Sequence, residues 1–345
     1  MTGLETLVLI GLTIFFGGAF AAKVKLPPPL VLLVIGAGLG FIPVLSDVAL
    51  PPDVVILLFL PALLYWESLN SSLREIRRNI RVIALASVVL VLITAAVVAL
   101  IASACGLPWP VALLLGAILA PTDATAVASV IDRLPRRAGT ILRTESLVND
   151  GTALVLYAIA LGSVVSGSSI SLGGAIIRFV ASYAFGIAIG LVVGLAVVQL
   201  RKLVRDRRLA NTLSILTPFL AFLPAEFFGV SGVVAVVSCG LLLSQTGPTL
   251  ITASMRAQSF GFWQLSTYIL NSSLFVLIGF ELHAVASGLG SEWIGSVAFG
   301  ALIAVVVFVT RLVWFNTPPY IIRLADRRPQ QRSRRIGFRG RVPNA

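Results

Sequence analysis

The sequence has little of what soluble enzymes and metal sites require. Only 12% of its 345 residues are charged, about half the share in a soluble globular domain. Two cysteines, Cys105 and Cys239, are too few for a disulfide framework or a thiolate metal site. The single histidine, His283, excludes a histidine-rich metal cluster. No basic residue precedes the first apolar run, so we expect no cleaved signal peptide. Because these residues are scarce, we expect the protein not to be an enzyme and to have no bound cofactor.

Apolar residues dominate instead. They make up 58% of the chain, and long apolar runs recur from one end to the other. Most runs can cross a hydrocarbon core of about 30 Å at about 1.5 Å per helical residue. We therefore predict an all-α polytopic membrane protein with a transmembrane domain over residues 1–320. About eleven spans are expected, at roughly 3–22, 28–46, 53–73, 80–104, 108–132, 141–165, 174–200, 209–226, 228–246, 262–283 and 296–316.

The basic residues follow the odd-numbered spans. Arg74, Arg77 and Arg78, for example, are assigned to the loop after span 3, whereas Asp47 and Asp53 lie between spans 2 and 3. By the positive-inside rule, we expect a cell-membrane protein whose N-terminus is extracytoplasmic. Residues 321–345 then form a basic cytoplasmic tail. The net charge of +12 then comes from basic residues that set the topology and contact lipid headgroups. A nucleic-acid partner is not expected.

Span 5 contains a carboxylate at membrane depth, where charge is costly and therefore suggests function. Asp123 precedes Arg133 by ten residues, or about 15 Å of helix. Pro121 removes a backbone donor and disfavours helix at the residue before it. A broken helix here would expose carbonyl groups that can bind a small cation. The alternative is a simple proline kink satisfied by Thr122.

Span 6 places four polar residues close together. Ser146 and Asp150 share one helix face, and Glu145 and Asn149 share a neighbouring one. These oxygen-bearing side chains would suit a hard monovalent cation such as Na+. Hydrogen bonding between helices is the alternative, above all for Asn149.

Two further charged residues lie within apolar runs. Span 3 reaches a sufficient length only if it includes Glu67, and Arg311 lies inside span 11. Arg311 would need a buried partner, either Glu145 or Asp123. The alternative for both Glu67 and Arg311 is a side chain that reaches the membrane interface.

Four segments carry a resemblance to a known family. They are residues 59–67 (FLPALLYWE), 121–127 (PTDATAV), 145–150 (ESLVND) and 309–314 (VTRLVW). With them, essentially the whole chain resembles the bacterial NhaP-type Na+/H+ antiporters of the monovalent cation/proton antiporter superfamily, which are related to animal sodium/proton exchangers.

The resemblance implies a role for each matching residue. Asp150 would bind Na+ and H+ alternately, while Glu67, Ser146 and the Thr122 backbone complete the Na+ site. Asp123 would organise the broken fifth helix.

The same resemblance pairs Glu145 with Arg311. It associates the Asn149–Asp150 sequence with electroneutral exchange of Na+, Li+ or K+ for H+, in pH and sodium homeostasis. It also implies a homodimer in the bilayer, with spans 3–6 and 11 in the bundle that moves.

One departure concerns the C-terminal end. Residues 336–340 (IGFRG) match the family motif that introduces two further helices, and the sequence stops at Ala345. We therefore expect an inverted repeat that is incomplete at the C-terminus. This departure favours one alternative function, a truncated, non-transporting scaffold or regulatory protein. A separate alternative is an intramembrane protease that uses Asp123 and Asp150 as a dyad.

Overall fold

The structure is a computed structural model that describes residues 3–42, 55–122, 136–166, 172–204, 206–250, 253–289 and 293–325. All regular secondary structure within these ranges is helical. A π-helical turn at Val55–Phe59 precedes the third α-helix, and another at Leu85–Val89 joins the fourth to the fifth. The α-helices are α1 Gly3–Val24, α2 Pro28–Gly40, α3 Leu60–Leu69, α4 Leu73–Ala84, α5 Leu90–Ala104, α6 Trp109–Leu119, α7 Arg136–Ser166, α8 Leu172–Leu203, α9 Arg207–Phe227, α10 Gly232–Leu250, α11 Ala253–Gly288 and α12 Trp293–Ala325.

The helices have the length and surface of membrane spans. In the described ranges, 7 helices are long and apolar enough to cross a membrane, and four shorter apolar helices accompany them. Large apolar side chains such as Leu4, Phe15 and Val192 are exposed along their faces. A continuous apolar surface of this kind suits lipid rather than water. The chain is thus a multi-pass, all-helical membrane protein, while the count of eleven spans stays a prediction.

The fourth helix begins earlier than the sequence pattern suggests. Arg74, Arg77 and Arg78 are exposed on α4 rather than in a loop after span 3. Ile76 and Ile83, two turns apart on α4, are buried. The helix is therefore amphipathic, with an apolar stripe toward the protein and arginines toward the surroundings. A hydropathy window misses this type of helix because its charged face lowers the average.

The described helices group into two compact units. Unit 1 contains α1, α2, α3, α9, α10, α11 and the part of α8 that begins at Ala181. Its helices approach closely at glycine positions. A Cβ on Gly36 of α2 would overlap the carbonyl oxygen of Val276 on α11, and a Cβ on Gly279 would overlap that of Leu33. Small residues at these crossings let the two backbones touch.

Helix α3, which carries Glu67, belongs to unit 1. Gly240 of α10 lies directly against the Ser68 side chain, and the Tyr65 ring packs on Trp263 of α11 with 5.4 Å between ring centroids. The prediction that span 3 groups with spans 4–6 and 11 is therefore wrong. The grouping that the resemblance implied placed α3 with α4, its neighbour in the chain, whereas α3 packs on α10 and α11.

Unit 2 contains α5, α6, α7, most of α4 and most of α12. Its core includes Val98 and Ala102 of α5, Ala112 of α6 and Ile303 of α12. A Cβ on Gly116 of α6 would overlap the carbonyl oxygen of Ala95 on α5. This close crossing holds α6 against α5 near the C-terminal end of α6, and the candidate site is built at that end.

Candidate functional site

Helix α6 stops inside the apolar sequence. It has 11 residues, or about 16 Å of helix, which is too short to cross a bilayer. The helix ends at Leu119, and Pro121 and Thr122 are not helical. Pro121 accounts for this end because it has no N–H to continue the intrahelical hydrogen bonds, although Ala120 before it still has an α-helical backbone (φ −70°, ψ −37°). Asp123 and the continuation of span 5 lie outside the described residues, so the broken fifth helix stays a prediction.

Arg311 of α12 lies next to this helix end. Its Nη2 donates a hydrogen bond of 2.9 Å to the carbonyl oxygen of Ala120. Its Nη1 lies 3.9 Å from Oε1 of Glu145 on α7. Both charged residues are buried, Arg311 being 6% exposed and Glu145 2%. The guanidinium thus neutralises a buried carboxylate and also satisfies a carbonyl that the end of α6 leaves without an intrahelical partner.

Thr122 is held by two side chains of α7. Ser146 Oγ donates a hydrogen bond of 2.8 Å to the Thr122 carbonyl oxygen. Asn149 Nδ2 donates one of 3.0 Å to Thr122 Oγ1. Ser146 and Asn149 are three residues apart, so they lie one above the other on α7. Together they fix the irregular backbone after α6 against one face of α7.

Several oxygen atoms in this arrangement keep acceptor capacity. A hydroxyl oxygen accepts through lone pairs, so donation of the Ser146 proton to Thr122 does not itself use the acceptor sites of Oγ. The Thr122 carbonyl oxygen also has a second lone pair. Asn149 is fully buried, and its Oδ1 accepts no hydrogen bond from the residues that the structure describes. Oxygen ligands of this kind suit a hard cation.

Asp150 follows Asn149 directly and is partly buried. It lies four residues after Ser146, hence on the same face of α7. Thr122, Glu145, Ser146, Asn149 and Arg311 come together within unit 2. Glu67 is partly buried on α3 in unit 1, so its role beside Asp150 stays a prediction.

Small side chains support the site. Ala120 is fully buried in a cluster with Val91, Ala95 and Ala153. Sequence reasoning missed the Ala120 carbonyl as the acceptor for Arg311. A signal was available, because a helix that ends inside the bilayer leaves carbonyl groups that need donors, and arginine offers five N–H groups.

Comparisons with known proteins agree with this architecture. The family model described as "Sodium/hydrogen exchanger, transmembrane" matches residues 11–330. A Mycobacterium tuberculosis protein named as an uncharacterized Na(+)/H(+) exchanger is 41% identical over 342 residues, 98% of this chain and 63% of that protein. The Na(+)/H(+) antiporter ApNhaP of Aphanothece halophytica is 29% identical over 284 residues, 80% of this chain and 54% of that protein.

A solved structure shows the same fold. The sodium proton antiporter MjNhaP1 of Methanocaldococcus jannaschii aligns with a TM-score of 0.72 and 20% identity, over 99% of this chain and 82% of that one. The chain spans less than two thirds of the length of the mycobacterial relative. The family match nevertheless covers most of this sequence. The chain therefore belongs to the sodium/hydrogen exchanger family and has the fold of an NhaP antiporter.

Proposed function

We propose that this protein exchanges a monovalent cation, Na+ or its relatives Li+ and K+, for H+ across the cell membrane, with Asp150 as the residue that binds them in turn. The observation that carries the proposal is the junction at Thr122. There, the end of α6 and one face of α7 bring backbone and side-chain oxygens together beside Asp150. The names of the relatives, exchangers and antiporters, agree with it.

Coupling follows from competition for one carboxylate. Na+ needs the ionised Asp150, whereas a proton occupies the same oxygen atoms and neutralises the charge. The two substrates therefore exclude each other. If the site changes its exposure only when one of them is bound, transport of one in each direction is obligatory.

The other residues would act on the ion and on the backbone. Ser146 Oγ, the Thr122 carbonyl and Glu67 would complete the Na+ coordination. Asp123 would organise the broken helix. Glu145 and Arg311 would keep the end of α6 in place, as their contacts within unit 2 suggest.

The charge carried in one cycle depends on residue 149. A neutral asparagine leaves Asp150 as the titrating carboxylate of this pair, so we propose electroneutral exchange. We further propose a homodimer, an extracytoplasmic N-terminus, a cytoplasmic C-terminus and a role in pH and sodium homeostasis.

Proton flux in inverted membrane vesicles tests the proposal. Addition of Na+ should dissipate a preformed proton gradient in vesicles with the wild-type chain. Asp150→Asn should abolish this response, because a neutral amide exchanges neither Na+ nor H+. Glu281→Gln is the matched control, since Glu281 is an exposed carboxylate on α11 in unit 1, and it should transport normally. If the wild-type chain inserts into the membrane but moves no protons, the proposal is wrong.

A further inference from the structure

Unit 1 contains a cavity that is lined by none of the residues proposed to bind Na+. It measures about 210 Å³, whereas a cavity of about 10–15 Å³ already holds one water molecule. It lies where the C-terminal ends of α3, α8 and α10 meet the N-terminal ends of α9 and α11. All the residues that line it belong to unit 1.

The walls of the cavity are positively charged. Arg201 at the end of α8 and Arg256 at the start of α11 line it, and none of the described residues that line it is acidic. Among the described residues, neither arginine has a carboxylate within salt-bridge distance. Arg201 Nη2 donates a long hydrogen bond of 3.4 Å to Tyr65 Oη. The nearby Asp206 accepts instead from the backbone N–H groups of Arg208 and Leu209, where it caps α9.

Helix dipoles contribute little to this charge. Three helix C-termini and two N-termini meet at the cavity, so their partial charges leave about half a negative charge, against two positive guanidinium groups. The two guanidinium groups therefore set its sign. Guanidinium binds phosphate with paired, charge-assisted hydrogen bonds and is the side chain best suited to that group.

The rest of the wall combines aromatic and aliphatic residues with a few serine and asparagine side chains. Trp66 packs against Phe260 with 5.1 Å between ring centroids, and lies parallel to Trp263 at 6.5 Å. Two polar groups at the wall are already satisfied, since Trp263 Nε1 donates to Ser214 Oγ and Ser259 Oγ donates to Asn211 Oδ1. The cavity thus combines two cationic donors with a large apolar surface. A fully hydrated anion would contact the two arginines but would gain nothing from the apolar surface.

The position in the fold adds a third argument. The helix ends around the cavity also carry Lys202 and Arg208, so this end of unit 1 is basic. In membrane proteins, basic helix ends with tryptophan lie at the level of the lipid headgroups. Basic pockets between helices at this level bind anionic headgroups.

We propose that this cavity binds one anionic phospholipid, with its phosphate between Arg201 and Arg256 and the first part of its acyl chains against Trp66, Phe260 and Trp263. The lipid would join the ends of five helices of unit 1. It would therefore stabilise that unit.

Native mass spectrometry of the purified full chain in detergent tests the proposal. Phosphatidylglycerol should bind with a stoichiometry of one, at least tenfold more tightly than phosphatidylcholine. The double variant Arg201→Gln/Arg256→Gln should lose this preference at least tenfold. Arg208→Gln removes a charge from the same basic end outside the cavity and should bind like the wild type. Equal binding of phosphatidylglycerol by the double variant and the wild type would overturn the proposal.

Two further measurements keep the outcome unambiguous. If the double variant does not fold, the single variant Arg256→Gln replaces it. Arg256 is exposed, and it makes no hydrogen bond to another described residue, so this change should not prevent folding. It should weaken binding severalfold. Competition with glycerol phosphate and with inorganic phosphate separates a lipid from a free anion. If either displaces phosphatidylglycerol at equal concentration, the cavity is a site for soluble phosphates and the lipid assignment is wrong.

Discussion

Arg311 contacts the backbone of Ala120 more closely than it contacts the carboxylate of Glu145. The hydrogen bond to the Ala120 carbonyl measures 2.9 Å, whereas the ion pair with Glu145 measures 3.9 Å. The arginine is therefore both a counter-charge and a cap for the end of α6. Its position couples α12, α6 and α7 at the point where the candidate ion ligands begin.

Replacing Arg311 with methionine should strongly destabilise the protein. The change leaves Glu145 buried without a counter-charge, and loss of one partner of a buried pair costs about 3–5 kcal/mol. The melting temperature of the purified chain in detergent measures the effect. Arg178→Met, which removes an exposed arginine of α8, is the control and should change it little.

The double variant Arg311→Met/Glu145→Leu separates the two roles of Arg311. It should recover part of the loss because no buried charge remains unpaired. The recovery should be incomplete, since the Ala120 carbonyl still lacks its donor. A double variant no more stable than Arg311→Met would show that the ion pair is not the main source of the effect.

Ser146→Ala should weaken cation binding more than it weakens the fold. The variant loses one hydrogen bond to the Thr122 carbonyl, worth about 1 kcal/mol, and one proposed Na+ ligand. The Na+ concentration for half-maximal flux should rise severalfold, while the maximal flux changes little. Ser166→Ala removes a similar side-chain to backbone hydrogen bond at the exposed end of the same helix. It should leave the Na+ dependence unchanged, and an equal effect of both variants would contradict a ligand role for Ser146.

Asn149→Asp should make transport sensitive to voltage. The substitution adds a second carboxylate beside Asp150, so the number of charges moved in one cycle need no longer balance. One uncompensated charge is worth about 2.3 kcal/mol per 100 mV. Proteoliposomes with a potassium diffusion potential provide the measurement. Wild-type flux should not respond to the potential, and that of Asn149→Asp should. A voltage response in the wild type would contradict electroneutral exchange.

The sequence predicted the class of fold and the polar residues of unit 2. The structure shows why the tertiary contacts could not be predicted in the same way. Long apolar runs determine helices directly, and Pro121 marks the end of α6 by local geometry. The approach of Arg311 to Ala120 depends on tertiary packing, which no spacing in the chain encodes. The same limit explains the placement of α3, because its contacts with Gly240 and Trp263 come from distant segments.

Gly116→Ala should disturb the candidate site, although Gly116 is not one of its residues. A Cβ at this position overlaps the Ala95 carbonyl oxygen, so α6 must move away from α5 and carry Ala120 and Thr122 with it. Overpacking of this kind costs about 1–3 kcal/mol, and Na+-dependent flux should fall. Gly162→Ala is the matched control in unit 2, because its Cβ would meet no atom within 4 Å. Equal flux from the two variants would contradict the proposed dependence of the site on this crossing.

The hydrogen bond between Arg311 and Ala120 joins residues 191 positions apart. A ribosome that adds about 5–20 residues per second needs roughly 10–40 s to make that length of chain. For most of this interval α6 and α7 have both been synthesised, while the guanidinium that caps one and neutralises Glu145 on the other does not yet exist. The contacts of Arg311 that complete this arrangement can therefore form only late in synthesis, and until then the carboxylate of Glu145 lacks its arginine partner.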